Sequence, residues 1–452
     1  MQESENQELA RNLKSRHIQL MAIGGTIGTG LFLGAGQSIH LAGPSILFAY
    51  LMAGGMCFML MRALGELLMS DLSQHSFIDF IKKYLGDSWG FVTGWTYWIC
   101  WAALAMAEVT AVGTYIRFWL PNVAQWIPGL LTLVILLLVN LISVGLFGEA
   151  EFWFALIKVV AIIALIAIGI VLIVTGYKTP SGHASLANLV NYGGFFPKGD
   201  SGFFMAFQMV VFSFTGIELV GLTASETANP KKTIPDAINK LPIRVILFYI
   251  GALLVIMAIY PWNTVSANNS PFVTVFSNIG INAAADIVNF VVLTAAASAC
   301  NSGLYSTGRM LFSLSLESKS PRLHRWSKLS RRQVPSRALT ASAAVIGIAV
   351  ILNIFLPTSV FTLVTSVATI SFLFVWVMIV LTHLKFRKAH PKGGDFKAPW
   401  HPFGDYYVLA FLAMVVVVML FSRETAIAEG LTVVWIGGLY FSHKHRQQKA
   451  LK

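Results

Sequence analysis

The feature that most constrains this chain is a series of about twelve apolar stretches, each long enough to cross a lipid bilayer. A helix needs about 20 residues to span a hydrocarbon core of about 30 Å. Lipid offers the backbone no hydrogen-bond partners, so spanning segments of this length fold as helices. The sequence therefore predicts an all-α integral membrane protein with twelve spans, at residues 18–38, 43–68, 92–118, 129–147, 152–175, 202–223, 243–261, 285–311, 338–356, 361–384, 406–421 and 425–442.

Composition and charge support this fold class. Of the 452 residues, 56% are hydrophobic and only 12% are charged, whereas a soluble domain has about 25% charged residues. The net charge of +12 does not indicate a nucleic acid partner, because Lys and Arg concentrate in the two tails and in alternate connections between spans. This distribution follows the positive-inside rule and predicts that both termini are cytoplasmic. The opposite face holds only Arg117, Lys178, Lys198 and Arg423.

Two predicted spans contain glycine-rich interruptions. The first runs from Gly24 to Gly30 in the first span, and the second covers residues 213–216 in the sixth. Backbone that leaves the helix at membrane depth is tolerated only where it is buried in protein or lines a watery cavity. Two such breaks at corresponding places in two halves of a chain indicate the substrate site of a secondary transporter. For any one glycine, close helix packing is an alternative explanation.

Other functional classes find little support. The sequence has no metal-ligand spacing, phosphate loop or nucleophile elbow, so we expect neither an enzyme nor a bound metal or cofactor. A channel would be expected to show a helix lined with polar residues, whereas this sequence shows two corresponding breaks. An amino-acid sensor built on a transporter fold remains an alternative, although such proteins often carry long cytoplasmic extensions and the tails here have about 17 and 10 residues.

Several motifs resemble the amino acid transporter family of the amino acid-polyamine-organocation superfamily. They occur in the family's order, at residues 16–20 (RHIQL), 27–32 (IGTGLF), 216–221 (GIELVG) and 226–230 (ETANP). The resemblance extends from Asn12 to about Lys444. It implies a LeuT-like fold, in which helices 1 to 5 and 6 to 10 are inverted repeats and helices 1 and 6 are broken beside the substrate.

The resemblance also implies a domain organisation. Inverted repeats would cover about 18–175 and 202–384, and two further helices would cover about 406–442. Together they form a transmembrane permease domain, 18–442, between the cytoplasmic tails 1–17 and 443–452. We expect a multi-pass protein of the bacterial inner membrane, surrounded by lipid, as a monomer or weak homo-oligomer.

By the same resemblance, the two breaks would bind an α-amino acid. A broken helix presents free N–H groups at one end and free carbonyls at the other. The backbone of the first break would hold the α-carboxylate, at Thr26, Ile27, Gly28, Thr29 and Gly30. Carbonyls of the second break would hold the α-ammonium, at Phe212, Ser213 and Thr215, beside Gly216. Small or polar side chains suit a compact pocket that aromatic groups close on one side; these are Ser298, Asn301 and Ser302, with Phe212 and Trp101.

Three charged residues inside predicted spans are candidates for proton coupling. By the resemblance, Lys158 would lie where sodium-coupled members of the fold bind an ion, which suggests a proton symporter; snorkelling to the cytoplasmic interface is the alternative. Glu218 resembles a gate or proton-relay carboxylate, unless it only hydrogen-bonds unwound backbone. For Glu108, proton coupling and structural pairing are equally open. Arg62 and Glu66 are one turn apart, and we expect them to form an ordinary ion pair.

Local stretches near residues 93–98, 239–244 and 299–303 look most like the D-serine/D-alanine/glycine permease branch of the family. The sequence thus predicts a symporter that uses the proton gradient to import small neutral amino acids, most of all D-alanine, D-serine and glycine. The alternative within the family is a permease for aromatic, basic or other L-amino acids.

Overall fold

The computed structural model describes residues 27–450 except 75, 143, 220–229, 268, 279–281, 317, 319–320, 331–332, 358 and 395. Within these residues the fold is helical apart from one short hairpin, in which β1 (Lys178–Thr179) pairs antiparallel with β2 (Gly182–His183). The α-helices are α1 Thr29–Phe32, α2 Gly34–Ala42, α3 Ile46–Ser70, α4 Phe77–Leu85, α5 Asp87–Ile116, α6 Trp126–Ile142, α7 Val144–Val174, α8 Gly199–Met205, α9 Phe207–Phe212, α10 Pro230–Asn239, α11 Leu241–Arg244, α12 Ala252–Ile259, α13 Pro271–Asn278, α14 Asn282–Leu316, α15 Pro321–His324, α16 Ser336–Ile346, α17 Ile348–Phe355, α18 Val360–Ala389, α19 Phe403–Met419 and α20 Arg423–Ala450. A π-helical segment, Val245–Gly251, connects α11 to α12, and 3₁₀ turns occur at Gly43–Ser45, Leu186–Leu189, Trp262–Thr264 and Arg325–Ser327.

Eight helical segments of the described chain are long and apolar enough to cross a membrane. They are Gly34–Ser70, Asp87–Ile116, Phe152–Val174, Pro230–Ile259, Ala283–Leu316, Ser336–Phe355, Val360–Ala389 and Arg423–Lys449. Helices α6 and α19 are apolar but have only 17 residues each. The predicted helical membrane fold is therefore observed, while the count of twelve spans is matched only in part. The predicted residues 18–26 of the first span lie outside the described chain.

In the described chain, each glycine-rich segment lies at the end of a helix. Helix α1 begins at Thr29, because Gly28 before it is extended, with φ −125° and ψ −157°. In the second segment α9 ends at Phe212 and residues 213–218 form turns. Gly216 has φ +90°, a conformation that a residue with a Cβ rarely adopts. The predicted sixth span is thus broken near its middle, and residues 220–229 lie outside the described chain.

The centre of the fold is α5, which packs most extensively against α14 and α18. Its large side chains Tyr97 and Trp101 are buried there together with Trp376 of α18. Peripheral helices expose apolar side chains instead, as on the outer face of α7. Such a surface is unfavourable in water and is expected where a helix faces lipid.

Candidate functional site

The first glycine-rich segment, at Gly30, is in direct contact with the second one, at Phe212 and Ser213. A Cβ built on Gly30 would lie 2.8 Å from the Cα of Ser213 and 3.1 Å from Cδ1 of Phe212. Glycine at position 30 is therefore what allows the first break to approach the second one so closely. The structure brings these three predicted site residues together, and Ile27 is buried. Thr26 lies outside the described residues.

Hydrogen bonds fix the backbone of the second break. Tyr50 Oη lies 3.0 Å from Ser213 Oγ, and Tyr249 Oη donates to the Ser213 carbonyl at 2.9 Å. Thr215 Oγ1 donates to the Phe212 carbonyl at 2.7 Å. Two of the three carbonyls that we expected to bind an ammonium group thus already have donors. The Thr215 carbonyl accepts none of the hydrogen bonds in the described part of the chain.

The carboxylate of Glu108 lies at the start of α1. The Thr29 N–H donates to Glu108 Oε1 at 3.3 Å, and a Cβ on Gly28 would lie 2.7 Å from the same oxygen. The other oxygen, Oε2, is buried and makes no hydrogen bond of regular geometry with the described residues. Glu108 therefore occupies the end of the first break where the sequence predicts the carboxylate of the substrate.

Lys158 is fully buried on α7, and its Nζ donates to Ser298 Oγ of α14 at 3.1 Å. The alternative in which this side chain snorkels to the membrane interface is wrong, because no part of it is exposed. The ammonium group attracts the carboxylate of Glu108. Next to Ser298, the Cβ of Ala299 lies 3.5 Å from the position of a Cβ on Gly28. Helix α14 thus connects the lysine to the first break.

Glu218 is completely buried and both of its carboxylate oxygens are bonded. Tyr97 Oη donates to Oε1 at 3.0 Å, and Trp376 Nε1 donates to Oε2 at 3.0 Å. The side chain therefore anchors the second break to α5 and α18. Trp101 covers the same region, since its Cη2 would lie 3.4 Å from a Cβ on Gly216.

Two predicted pocket residues on α14 are less central. The Asn301 carbonyl oxygen accepts a hydrogen bond from Asn140 Nδ2 of α6 at 2.7 Å. Its own amide nitrogen is buried and has no partner in the described chain. Ser302 is also buried. The contacts of Asn301 connect α14 with α6 and do not reach either break.

Sequence reasoning missed a buried polar cluster around Glu66. His383 Nε2 lies 3.0 Å from Glu66 Oε2, and Arg387 Nη1 donates to Glu66 Oε1 at 2.8 Å. The N–H groups of Gly394 and Ala398 donate to the same carboxylate at 3.1 and 2.7 Å. The segment that carries Gly394 and Ala398, between α18 and α19, therefore contacts this carboxylate through its backbone, and we call it the cover over Glu66.

The expected ion pair between Arg62 and Glu66 is not formed. Arg62 donates to Asn239 Oδ1 at 3.0 Å, and its guanidinium stacks 3.8 Å from the ring centre of Phe396. Glu66 instead pairs with Arg387. The useful signal in the sequence was His383, because an ionisable residue inside an apolar span requires a partner.

Asp405 extends this cluster to α19. Its two oxygens lie 2.7 Å from His383 Nδ1 and 2.6 Å from His401 Nδ1. One donor atom from each of these three side chains lies within 4.8 Å of the others, so the group could hold a metal ion. The distances from the Asp405 oxygens to the two histidine nitrogens are those of hydrogen bonds.

A cavity of about 650 Å³ lies beside the first break, and we call it the outer cavity. It is lined by residues of α2, α5, α13 and α14 and of the segments around them, including Leu33, Gln37, Tyr115, Arg117, Ser270 and Phe361. None of the predicted site residues lines it. Its aromatic wall residue Phe361 contacts Phe212, with ring centres 6.4 Å apart.

Broken helices in contact with buried charges, inside a bundle of apolar helices, are features of transporters. Comparison with known families matches residues 17–451 to the amino acid permease model. The chain belongs to the amino acid permease family. This permease is consequently a multi-pass membrane protein, and its relatives are transporters.

Curated relatives match the permease along almost its entire length. It is 57% identical to the amino-acid permease AapA of Bacillus subtilis, over 99% of this chain and 97% of the relative. It is 47% identical to the D-serine/D-alanine/glycine transporter of Escherichia coli K12, over 97% and 95%. It is also 47% identical to the DL-alanine permease SerP2 of Lactococcus lactis, over 96% and 94%.

Proposed function

We propose that this permease is a proton-coupled symporter that imports glycine, D-alanine and D-serine across the bacterial inner membrane by alternating access. The observation that carries the proposal is the contact of Gly30 with Ser213, together with the buried side chains of Glu108 and Lys158. Backbone donors, backbone acceptors and two opposite charges near one another support this proposal. The names of two relatives, a D-serine/D-alanine/glycine transporter and a DL-alanine permease, support the substrate class.

Substrate binding follows from the chemistry of the two breaks. Backbone N–H groups at Gly28, Thr29 and Gly30 hold the α-carboxylate, and the Thr215 carbonyl holds the α-ammonium. If backbone groups bind both charges, inversion at Cα exchanges only the hydrogen and the direction of the side chain. A methyl or hydroxymethyl group fits either way, so D- and L-forms of small amino acids are both accepted.

The close packing around the breaks favours small substrates. Phe212 and Trp101 are both buried and lie against Gly30 and Gly216 respectively. A large side chain would have to displace these rings. A basic substrate would need a further acidic group, and the two acids beside the breaks, Glu108 and Glu218, already contact the protein.

Proton coupling is assigned to Glu108 together with Lys158. Glu108 has an unbonded oxygen and an attractive cation near it, so its protonation would change both its bond to Thr29 and the attraction to Lys158. A neutral Glu108 would release the Thr29 N–H for the substrate carboxylate. Glu218 serves as an anchor of the second break in this scheme, because Tyr97 and Trp376 occupy both of its oxygens.

The proposal includes the finer architecture implied by the family resemblance. Twelve membrane helices form a LeuT-like arrangement of two inverted repeats followed by two helices, with the termini in the cytoplasm. The outer cavity then faces the exterior, because Arg117 belongs to the face with few positive charges.

The test is uptake of labelled D-alanine into proteoliposomes with an imposed inward proton gradient. We expect accumulation that a protonophore abolishes, and inhibition by glycine, D-serine and L-alanine but not by L-phenylalanine or L-lysine. Inhibition by phenylalanine or lysine alone would overturn the substrate class. Accumulation that persists without the gradient would overturn proton coupling.

A further inference from the structure

The outer cavity has the size and the lining of a ligand site. Its volume of about 650 Å³ falls within the range of about 300–1,000 Å³ that is typical of small-molecule pockets. The wall includes hydroxyl and amide side chains, among them Gln37, Gln125 and Asn269. A cavity whose wall carries both polar and apolar groups can hold water or a small amphipathic solute.

Arg117 provides the charge of this cavity. It is the only Lys, Arg, Asp or Glu among the residues that line it in the described chain. The guanidinium forms no ion pair or hydrogen bond within the described residues, and it is exposed. Asp286, an acid on the nearby helix α14, accepts a hydrogen bond from Trp119 Nε1 at 2.7 Å. The cation in the cavity is therefore available to an anionic group.

Two buried hydroxyl groups in the cavity wall lack partners. Tyr115 is 2% exposed and Ser270 is 5% exposed, yet neither hydroxyl makes a hydrogen bond in the described chain. An unsatisfied buried polar group costs about 1–3 kcal/mol. Both oxygens are closed to solvent in this arrangement, so a polar ligand in the cavity reaches them only when the wall rearranges, and it then removes this cost.

The position of the cavity connects it to the broken helices. Tyr115 follows Glu108 by seven residues, so both side chains lie on one face of α5, about 10 Å apart along its axis. Leu33 follows directly after α1, and Phe361 contacts Phe212 of the second break. The wall of the cavity is therefore continuous with the two breaks.

We infer that the outer cavity is a second, transient binding site for the amino acid substrate, in which Arg117 binds the α-carboxylate and Tyr115 and Ser270 bind its polar groups. The inference rests on the proposed function, because it takes the substrate to be a small zwitterion. The site concentrates substrate above the breaks before the molecule passes Phe361. A guanidinium in a polar cavity also attracts anions over a distance and raises the rate of capture.

The test measures the kinetics of D-alanine uptake by Arg117→Gln and Arg117→Cys. Removal of the charge should raise KM about three- to ten-fold and leave the maximal rate within about two-fold, because a peripheral charge acts mainly on capture. On Arg117→Cys, a thiol reagent that carries trimethylammonium should restore a low KM, whereas one that carries sulfonate should raise KM further. The native cysteines Cys57, Cys100 and Cys300 are buried, which limits background labelling.

Lys178 offers a matched control, because it belongs to the same predicted face but does not line the cavity. Lys178→Cys should keep the wild-type KM before and after either reagent. A KM for the Arg117 variants that equals the wild-type value, or that responds equally to both reagents, would overturn the inference alone. Absence of D-alanine and glycine uptake by the wild-type protein would instead overturn the proposed function and the substrate assigned to this cavity.

Tyr115→Phe and Ser270→Ala provide a second readout. Each removes a hydroxyl without a partner in the described chain, so the protein should be as stable as the wild type or more stable. KM should nevertheless rise about two-fold or more if the hydroxyls bind substrate. An unchanged KM for both variants would contradict their part in the site.

Discussion

Two buried glutamates, Glu66 on α3 and Glu108 on α5, differ in how completely their carboxylates are hydrogen-bonded. Glu66 is bonded to His383, Arg387 and two backbone N–H groups, whereas Glu108 accepts one N–H and has an oxygen without a regular bond. A carboxylate with all its donors in place holds a structure in one arrangement. One that lacks donors costs stability and stays available for a proton or a ligand. We therefore expect stability and transport to depend on separate regions of the permease.

The largest effect on stability is expected for Glu66→Ala. The variant leaves Arg387, His383 and two N–H groups without their acceptor, and loss of one partner of a buried ion pair costs about 3–5 kcal/mol. The apparent melting temperature of the detergent-purified protein, followed by tryptophan fluorescence, should fall strongly. Glu424→Ala, at an exposed position of α20, is the control. Equal melting temperatures for Glu66→Ala and the wild type would show that the cluster is not stabilising.

The next largest effect is expected for Gly30→Ala, which tests the contact between the breaks. Its Cβ would lie 2.8 Å from the backbone of Ser213, and such overpacking costs about 1–3 kcal/mol. Uptake of D-alanine should be lost. Gly437→Ala is the matched control, because nothing lies within 4 Å of its Cβ, and alanine stabilises a helix by about 1 kcal/mol relative to glycine. Wild-type uptake by Gly30→Ala would refute the close approach.

Glu108→Gln should change stability little, by less than about 1 kcal/mol, because the amide keeps the size of the side chain and Oε2 has no regular bond to lose. The variant should lose coupling to the proton gradient but keep the ability to move substrate. Accumulation driven by a proton gradient should disappear, while exchange of labelled for unlabelled D-alanine continues. Rates of exchange and of driven uptake, measured in the same proteoliposomes at pH 6 and pH 8, distinguish these outcomes. Driven uptake that matches the wild type at both pH values would remove Glu108 from the coupling mechanism.

The smallest effect is expected for Asp236→Asn, which breaks an exposed ion pair. Lys240 Nζ lies 2.7 Å from Asp236 Oδ2, and both side chains are more than half exposed. Pairs of this kind contribute about 0.5 kcal/mol or less. Melting temperature and uptake should both stay near the wild-type values. If Asp236→Asn lowered the melting temperature as much as Glu66→Ala does, burial would not explain why a buried ion pair stabilises the protein more than an exposed one.

Apolar length and glycine content predicted much of the helical fold and the location of the second break, because both act locally along the chain. Partners distant in sequence could not be predicted in the same way. His383 and Glu66 are 317 residues apart, and no periodic pattern links them. The same limit explains why the predicted ion pair between Arg62 and Glu66 was wrong. Arg62 contacts Asn239 and Phe396, which belong to segments distant in sequence, instead of the neighbouring Glu66. Substrate and coupling roles at the breaks stay predictions until transport is measured.

The cover over Glu66 also has a consequence for synthesis. Ribosomes add about 5–20 residues per second, so about 15–60 s separate the emergence of Glu66 from that of His383. During this interval α3 holds an acid without its later partners, and the membrane insertion machinery must tolerate or shield it. Assembly of this end of the bundle is therefore a late step, and chains truncated before α18 should be preferred substrates for membrane proteases.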